Sequence, residues 1–320
     1  MLLALAEKNS HYCVVHHFQG VSMFSGLSAF PLTPMRGERP DEQGFIRLVT
    51  RLAEAGVQSI GALGSTGNYA YLTLDERLRL TRLAVEHAAG VPVMVSVGAV
   101  RTRDVLTLAE GAQQAGVSAL LLAPVSYQPL TQDEVFSLYQ TVAQNSDVPL
   151  CVYDNAATTH FTFTDALYSR LAALPAIGSI KLPGAPLAAP DGRERVAALR
   201  AALPQSVKLG VSGDMFAQAG LSAGCDLWYS VVGGLYPRLA LRLMRHAQEA
   251  SAQSAAFFES LAPLWALFRR HGSLRVIAAL AVLSGLLDEP PLPAPLKMLP
   301  AQEQEALRAL LPVLDSWETA

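Results

Sequence analysis

Four times along this chain an amphipathic stretch ends in Ala-Gly-Val or a near copy of it, and a short apolar run follows within a residue or two. Ala55-Gly56-Val57 precedes Ser59-Ile60-Gly61-Ala62-Leu63, Ala89-Gly90-Val91 precedes Val93-Met94-Val95-Ser96-Val97, Ala115-Gly116-Val117 precedes Ala119-Leu120-Leu121-Leu122, and Ala223-Gly224-Cys225 precedes Leu227-Trp228-Tyr229-Ser230-Val231. A glycine closing a helical stretch accepts the left-handed conformation of a helix cap, so each unit reads as helix, tight turn, buried strand. Strands that are apolar without alternation need cover on both faces, and helices interleaved with them imply a parallel sheet. The runs predict strands near 24–30, 57–63, 91–98, 117–123, 148–153, 176–181, 206–211 and 226–231. Eight such units predict an α/β fold, a closed (β/α)8 TIM barrel.

The helices between the strands carry their own start signals. Thr73 before Leu74-Asp75-Glu76, Thr131 before Gln132-Asp133-Glu134 and Thr164 before Asp165 are N-caps followed by acidic first turns. No dinucleotide fingerprint and no phosphate-binding G-x-x-x-x-G-K-[ST] follows any strand, which makes an open nucleotide-binding sheet the weaker alternative. After about Arg238 only helical periodicity remains, with helices expected at 237–250, 254–271, 273–286 and 301–316 around the proline-rich stretch Glu289 to Pro295. The expected organisation is a loose N-terminal extension over 1–22, a barrel over 23–236, and a helical C-terminal region over 237–320 that includes the last barrel helix. His11, His16 and His17 fall in the extension, and their spacing matches no zinc pattern.

Composition excludes several function classes. Hydrophobic residues make up 51% of the 320 positions and charged residues 16%, with a net charge of -3, which offers little to nucleic acid or an anionic membrane surface. Mean hydropathy is +0.28, yet the longest apolar stretch, Val276 to Leu287, is broken by Ser284 and Gly285 and is short of the roughly 20 residues that span a bilayer. Cys13, Cys151 and Cys225 form no CxxC pair, and Glu7 and Lys8 interrupt the apolar N-terminus, so a reduced, cytoplasmic protein without a secretory signal is expected.

Of the 24 basic residues only four are lysines: Lys8, Lys181, Lys208 and Lys297. Lys181 closes the apolar run Ala176 to Ile180 and precedes Pro183-Gly184. An amine can lose its proton and attack a carbonyl, which a guanidinium cannot, so a lysine at the end of a buried strand reads as a Schiff-base nucleophile. Against this stands a plain surface role, the stem covering apolar area and the head reaching water. The neutral form needed for attack is favoured by apolar surroundings, for which Ile177, Gly178, Ile180 and Leu182 are the candidates. Tyr153 ends the preceding strand and is expected about 5 Å away in strand spacing, where a phenol can relay protons. Gly64-Ser65-Thr66-Gly67 offers hydroxyls and backbone N–H groups suited to a carboxylate or small phosphate. Lys208 lies early in its strand, toward the opposite end of the barrel. Asp154 and His160 lie near the mouth, where either could serve as a general acid or base, with a surface-loop role the favoured expectation for both, and Asp214 is expected to cap the helix it precedes.

The Gly64-Ser65-Thr66-Gly67 run, Tyr153, the Ser179-Ile180-Lys181 segment and the Val211-Ser212-Gly213-Asp214 turn, in that order and spacing, resemble the dihydrodipicolinate synthase and N-acetylneuraminate lyase family. The likeness runs from about Phe24 into the C-terminal helices. It implies a (β/α)8 barrel with a helical extension, a homotetramer or homodimer, and cofactor-free, metal-free class I aldolase or dehydratase chemistry on pyruvate or related 2-oxo acids. By that resemblance Lys181 forms the imine, Tyr153 relays protons, Ser65 and Thr66 hold the keto-acid carboxylate or extend the relay, and Gly213 and Tyr229 line the pocket.

Three places depart from the pattern. Asn68 stands for the glutamate after the turn, Val125 and Ser126 for the tyrosine pair after the fourth strand with Tyr127 one position on, and Ala157-Thr158-Thr159-His160 where synthases place an arginine. The expectation is therefore a Schiff-base lyase that makes or cleaves a C–C bond and is not a true dihydrodipicolinate synthase. The alternatives are a sugar-acid dehydratase or decarboxylase of the same family and a non-catalytic 2-oxo-acid-binding paralogue. A metal-dependent aldolase is disfavoured, since no cluster of histidines and carboxylates is expected at the strand ends.

Overall fold

In the computed structural model, which describes residues 23–249 and 252–319, eight parallel strands close into a barrel. They are Gly26–Ala29, Ser59–Ala62, Val93–Ser96, Ala119–Leu122, Leu150–Tyr153, Ile177–Pro183, Lys208–Ser212 and Leu227–Ser230, each hydrogen-bonded to its sequence neighbours, and the first also to the last. All eight expected strands are present. The N-terminal extension expected over 1–22, with its three histidines, lies outside the described residues.

The helices begin where the sequence places their caps. Thr73 and Thr131 form complete capping boxes with Glu76 and Glu134, and the Thr164 hydroxyl accepts from the Leu167 N–H. Gly56 and Gly224 end their helices with φ of 74° and 110°, a region that a side chain bearing Cβ disfavours. Two apolar layers result. One lies between the sheet and the surrounding helices, and a smaller one fills the barrel interior with Phe24, Phe30, Leu121, Cys151, Tyr153, Leu227 and Tyr229 among its members.

One irregularity positions the site. Leu150 pairs with Ile177, but Cys151 pairs with Ser179, so Gly178 is an extra residue in the sixth strand. Strict alternation from the outward-packed Ile177 would turn Lys181 toward the helices. The bulge shifts the alternation by one, so Ile180 and Leu182 join the outer layer while Ser179 and Lys181 face the interior. The strand also runs two residues past Lys181, to Pro183, which pairs with Ser212.

Beyond the barrel the helices are Pro237–Glu249, Ala252–Ser260, Ala262–His271, Ser273–Leu283 and Ala301–Thr319. The single helix expected over 254–271 is two, because Pro263 sits in the first turn of the second, where its missing N–H is harmless, and could not continue the first. Among the described residues no helix is long and apolar enough to cross a membrane.

Asp214 corrects a second expectation. It does not cap its own helical turn; its carboxylate accepts from the Trp228 Nε1–H at 3.1 Å, the Val231 N–H at 3.1 Å and the Val232 N–H at 2.7 Å, tying the seventh strand to the end of the eighth. Burial pushes its carboxyl up to about 6, against the pull of these donors toward the ionised form. The folded state therefore binds more protons than the unfolded chain between about pH 4 and 6, and the contribution of Asp214 to stability declines as pH rises through that window. Asp214→Asn, which turns an amide nitrogen toward donors, is expected to lower the unfolding free energy by roughly 2–4 kcal/mol. In urea titrations the deficit should shrink between pH 4 and 6; a deficit that grows there contradicts this assignment.

Candidate active site

The register of the fifth and sixth strands sets Tyr153 directly opposite Lys181, and Lys181 is in turn opposite Gly210 of the seventh strand. Both site residues are almost completely buried, Lys181 at 5% exposure and Tyr153 at 4%. The amine is enclosed by aromatic faces: Nζ lies 3.9 Å from the ring centroid of Phe30, 4.4 Å from that of Tyr153 and 5.5 Å from that of Tyr229. Each ring face can return about 0.5–2 kcal/mol to an ammonium group removed from water. These rings, and not Ile177, Gly178, Ile180 and Leu182, form the immediate surroundings of the amine; Ile177, Ile180 and Leu182 pack in the outer layer.

Gly210 makes room for this arrangement, since a Cβ there would stand 2.3 Å from Tyr229 Cε2. The Tyr229 hydroxyl turns away from the amine, toward Ser179 Oγ at 2.6 Å and Cys151 Sγ at 3.2 Å, both two residues earlier on their strands than Lys181 and Tyr153. Burial drives the Tyr229 phenol far up and the Cys151 thiol up to about 11, so both stay protonated at neutral pH. Tyr229 thus packs its ring toward the amine while its polar end is engaged below.

The Tyr153 hydroxyl is differently placed. It lies 3.0 Å from Ser65 Oγ, and Asn155 Nδ2 donates to it at 2.9 Å. With one lone pair filled by Asn155, the phenolic proton is free to pass to Ser65 or to a bound molecule. Ser65 belongs to a turn flanked by Leu63 and Asn68, both non-glycine residues at φ of 55° and 56°. Such conformations cost about 1–3 kcal/mol each and persist where surrounding structure enforces them. Asn68 Nδ2 donates to the Thr33 carbonyl, and a Cβ on Gly67 would stand 2.8 Å from Leu63 Cα. Thr66 is buried in the same turn.

The structure thus brings Lys181 beside the rings of Tyr153 and Tyr229, with Ser65 on the Tyr153 hydroxyl. Gly213, at φ 86°, follows the seventh strand at the same end of the barrel. Lys208 begins that strand opposite Ser179, toward the amino end, which separates it from the site as expected. Asp154 is not a surface-loop residue: it is buried and accepts from the Tyr168 hydroxyl, and burial raises its carboxyl above the usual range. His160 is exposed at the end of the short helix Ala156–Thr159, and Tyr127 is 89% exposed. Two contributors were not singled out from sequence. Asn155 carries only the hint of a polar residue just past a strand end, and Phe30 carries none, being one more apolar residue on an apolar strand. Among the described residues no group of three histidine, cysteine or carboxylate side chains is placed to hold a metal ion.

Fold and site together define a (β/α)8 barrel with a buried lysine and a hydrogen-bonded tyrosine at the carboxyl end of adjacent strands, the end at which barrel enzymes carry their active sites. The Dihydrodipicolinate synthetase family profile matches residues 23–313, and the chain belongs to that family. A 4-hydroxy-tetrahydrodipicolinate synthase of Methylococcus capsulatus is 33% identical over 227 residues, 70% of this chain and 76% of the relative. One from Thiobacillus denitrificans is 31% identical over 295 residues, 91% of this chain and 97% of the relative. The crystal structure of a dihydrodipicolinate synthase from Agrobacterium tumefaciens superposes with a TM-score of 0.87 at 43% identity, covering 91% of this chain and 98% of that one.

Proposed function

We propose that the protein is a class I lyase in which Lys181 condenses with pyruvate or a related 2-oxo acid and a C–C bond is then made or cleaved. The observation that carries this reading is the buried Lys181 amine, ringed by Phe30, Tyr153 and Tyr229, beside a phenol hydrogen-bonded to Ser65. The neutral amine attacks the ketone carbon, the oxygen takes up one proton from the attacking nitrogen and a second from an acid, it leaves as water, and the cationic imine remains on Nζ. Loss of a proton from the neighbouring carbon gives the enamine, which adds to an aldehyde; the reverse sequence cleaves the same bond. Tyr153 is the proton carrier for the departing oxygen, with Ser65 passing the proton onward and Asn155 fixing the phenol. Ser65 and Thr66 hold the carboxylate, and Gly213 and Tyr229 line the chamber.

The acceptor side reads differently from the 4-hydroxy-tetrahydrodipicolinate synthases that the chain resembles. No arginine occurs between Tyr153 and Arg170, and a short helix, Ala156–Thr159, occupies the place where the family pattern has one. A dehydratase or decarboxylase acting on a sugar-derived acid shares the imine and differs in releasing water or carbon dioxide in place of an aldehyde. A homodimer or homotetramer in the cytoplasm is the proposed working form, with sedimentation as the check on its size.

Incubation with pyruvate and borohydride is expected to add one reduced adduct to the intact protein, mapped by peptide mass to Lys181. Saturable binding of 2-oxo acids without any adduct would instead favour a binding protein that has lost turnover. Aldehyde consumption with pyruvate, set against water or carbon dioxide release from sugar acids, then separates the two lyase readings.

A further inference from the structure

Tyr139 is completely buried, and the reaction outlined above gives it no task. It belongs to the helix Gln132–Ala143 and packs in the layer between the sheet and the surrounding helices. A phenylalanine would fill the same ring space, so the hydroxyl needs its own account, because a hydroxyl taken out of water costs free energy unless it is hydrogen-bonded. It donates to the Leu122 carbonyl of the fourth strand and accepts from the Tyr153 N–H of the fifth at 3.4 Å. Burial drives this phenol far up, so it keeps the proton that it donates. The register of these two strands ends at the pair Leu122 and Val152, one residue before Tyr153. A second phenol comes from the helix Asp165–Ala172, where the Tyr168 hydroxyl donates to the Asp154 carboxylate. Asp154 in turn donates its N–H to the Lys181 carbonyl at 3.2 Å. Phe163 joins the two phenols, stacked on Tyr168 with centroids 5.6 Å apart at 4° and edge-on to Tyr139 at 6.2 Å and 77°.

We propose that Tyr139 and Tyr168 form a brace behind the site and are positioning residues for Tyr153. The inference rests on the reading of Tyr153 as the proton carrier. Tyr153 is the last residue of its strand and is paired on one side with Lys181. On the other side no register pair reaches it, and the Tyr139 hydroxyl supplies a tie to the fourth strand. The contact of Tyr168 with Asp154 secures the residue that follows. Backbone held in this way keeps the Tyr153 phenol between Ser65 Oγ at 3.0 Å and Asn155 Nδ2 at 2.9 Å. Neither brace ring is among those over the amine, which are Phe30, Tyr153 and Tyr229, so both act through Tyr153. A reacting group displaced by about 1 Å can lose about 10²-fold in rate, so ties made on the helix side of the sheet bear on turnover.

The test follows trapping of pyruvate with excess borohydride, by intact mass over a range of pyruvate concentrations, with circular dichroism and urea midpoints as controls for folding. It compares wild type, Tyr139→Phe, Tyr168→Phe, Tyr153→Phe and the two double variants that contain Tyr153→Phe. Tyr139→Phe should lower the limiting rate by about 10–100-fold and leave the half-saturating pyruvate concentration within about threefold. In the Tyr153→Phe background the same change should cost less than about twofold, because a brace has no effect once the hydroxyl it places is gone. A merely structural role would cost as much in either background. Tyr168→Phe should follow the same pattern with a smaller loss, and it decides the matter if Tyr139→Phe does not fold. An unchanged rate in the folded single variant, or losses that add in the double variants, overturns the proposal while leaving the imine reading intact. A Tyr153→Phe protein that traps as fast as wild type removes the proton-carrier reading, and a wild type that takes no adduct removes the imine reading, each taking this inference with it.

Discussion

Lys181→Ala is expected to lose the pyruvate adduct entirely and to lower turnover by on the order of 10⁴-fold or more, the scale on which removal of a covalent nucleophile acts. Lys181→Arg should fail equally, since a guanidinium stays protonated and cannot condense with a ketone. The same substitutions should spare the fold. Lys181→Met places an apolar side chain of similar length among Phe30, Tyr153 and Tyr229 and removes the buried amine that lies over these rings. A buried polar group exchanged for a well-packed apolar one of similar shape leaves nothing unpaired behind, so this variant should melt at or above the wild-type temperature while inactive. Residual trapping in Lys181→Ala, mapped to Lys208, would overturn the assignment of the nucleophile.

Tyr153→Phe carries the second large effect. It keeps the ring that packs against Lys181 and deletes only the hydroxyl that Asn155 and Ser65 engage. Loss of a positioned proton carrier typically lowers turnover by about 10²–10⁴-fold. Because the amine remains, borohydride trapping should still occur, at a slower rate, which separates a proton-transfer role from a purely structural one. Asn155 Nδ2 and Ser65 Oγ each lose a partner, so a stability loss of about 1–3 kcal/mol should accompany the kinetic effect in denaturant titrations. A Tyr153→Phe enzyme within threefold of wild type in turnover would remove Tyr153 from the mechanism.

The legible part of this molecule is the part governed by neighbours in sequence. Glycine-ended helices followed by apolar runs repeat often enough to reveal eight strands, and Thr73, Thr131 and Thr164 mark helix starts because a cap acts within four residues. Lys181 stands out as a rare amine on a buried strand, and Tyr153 as its counterpart one strand earlier. The illegible part is governed by distance in sequence. Nothing local in Asp214 tells a helix cap from a carboxylate reaching Trp228, Val231 and Val232, because the deciding donors arrive with the next strand. Nothing local in Asp154 foretells Tyr168 as its donor, and nothing in Phe30 marks it as facing the amine rather than the helices.

The amino-acid order by itself determined a parallel barrel with helical cover and a lysine near the carboxyl end of its sixth strand, since periodicity, capping and apolar runs act over a few residues at a time. Which way that lysine points was decided only when the barrel closed: the extra residue at Gly178 shifts the alternation so that Lys181 turns inward beside Tyr153. The ring of Phe30, the Asn155 donor and the Ser65 hydroxyl then converge from other strands and turns, through contacts that exist only once hydrogen-bond register joins segments far apart in the chain.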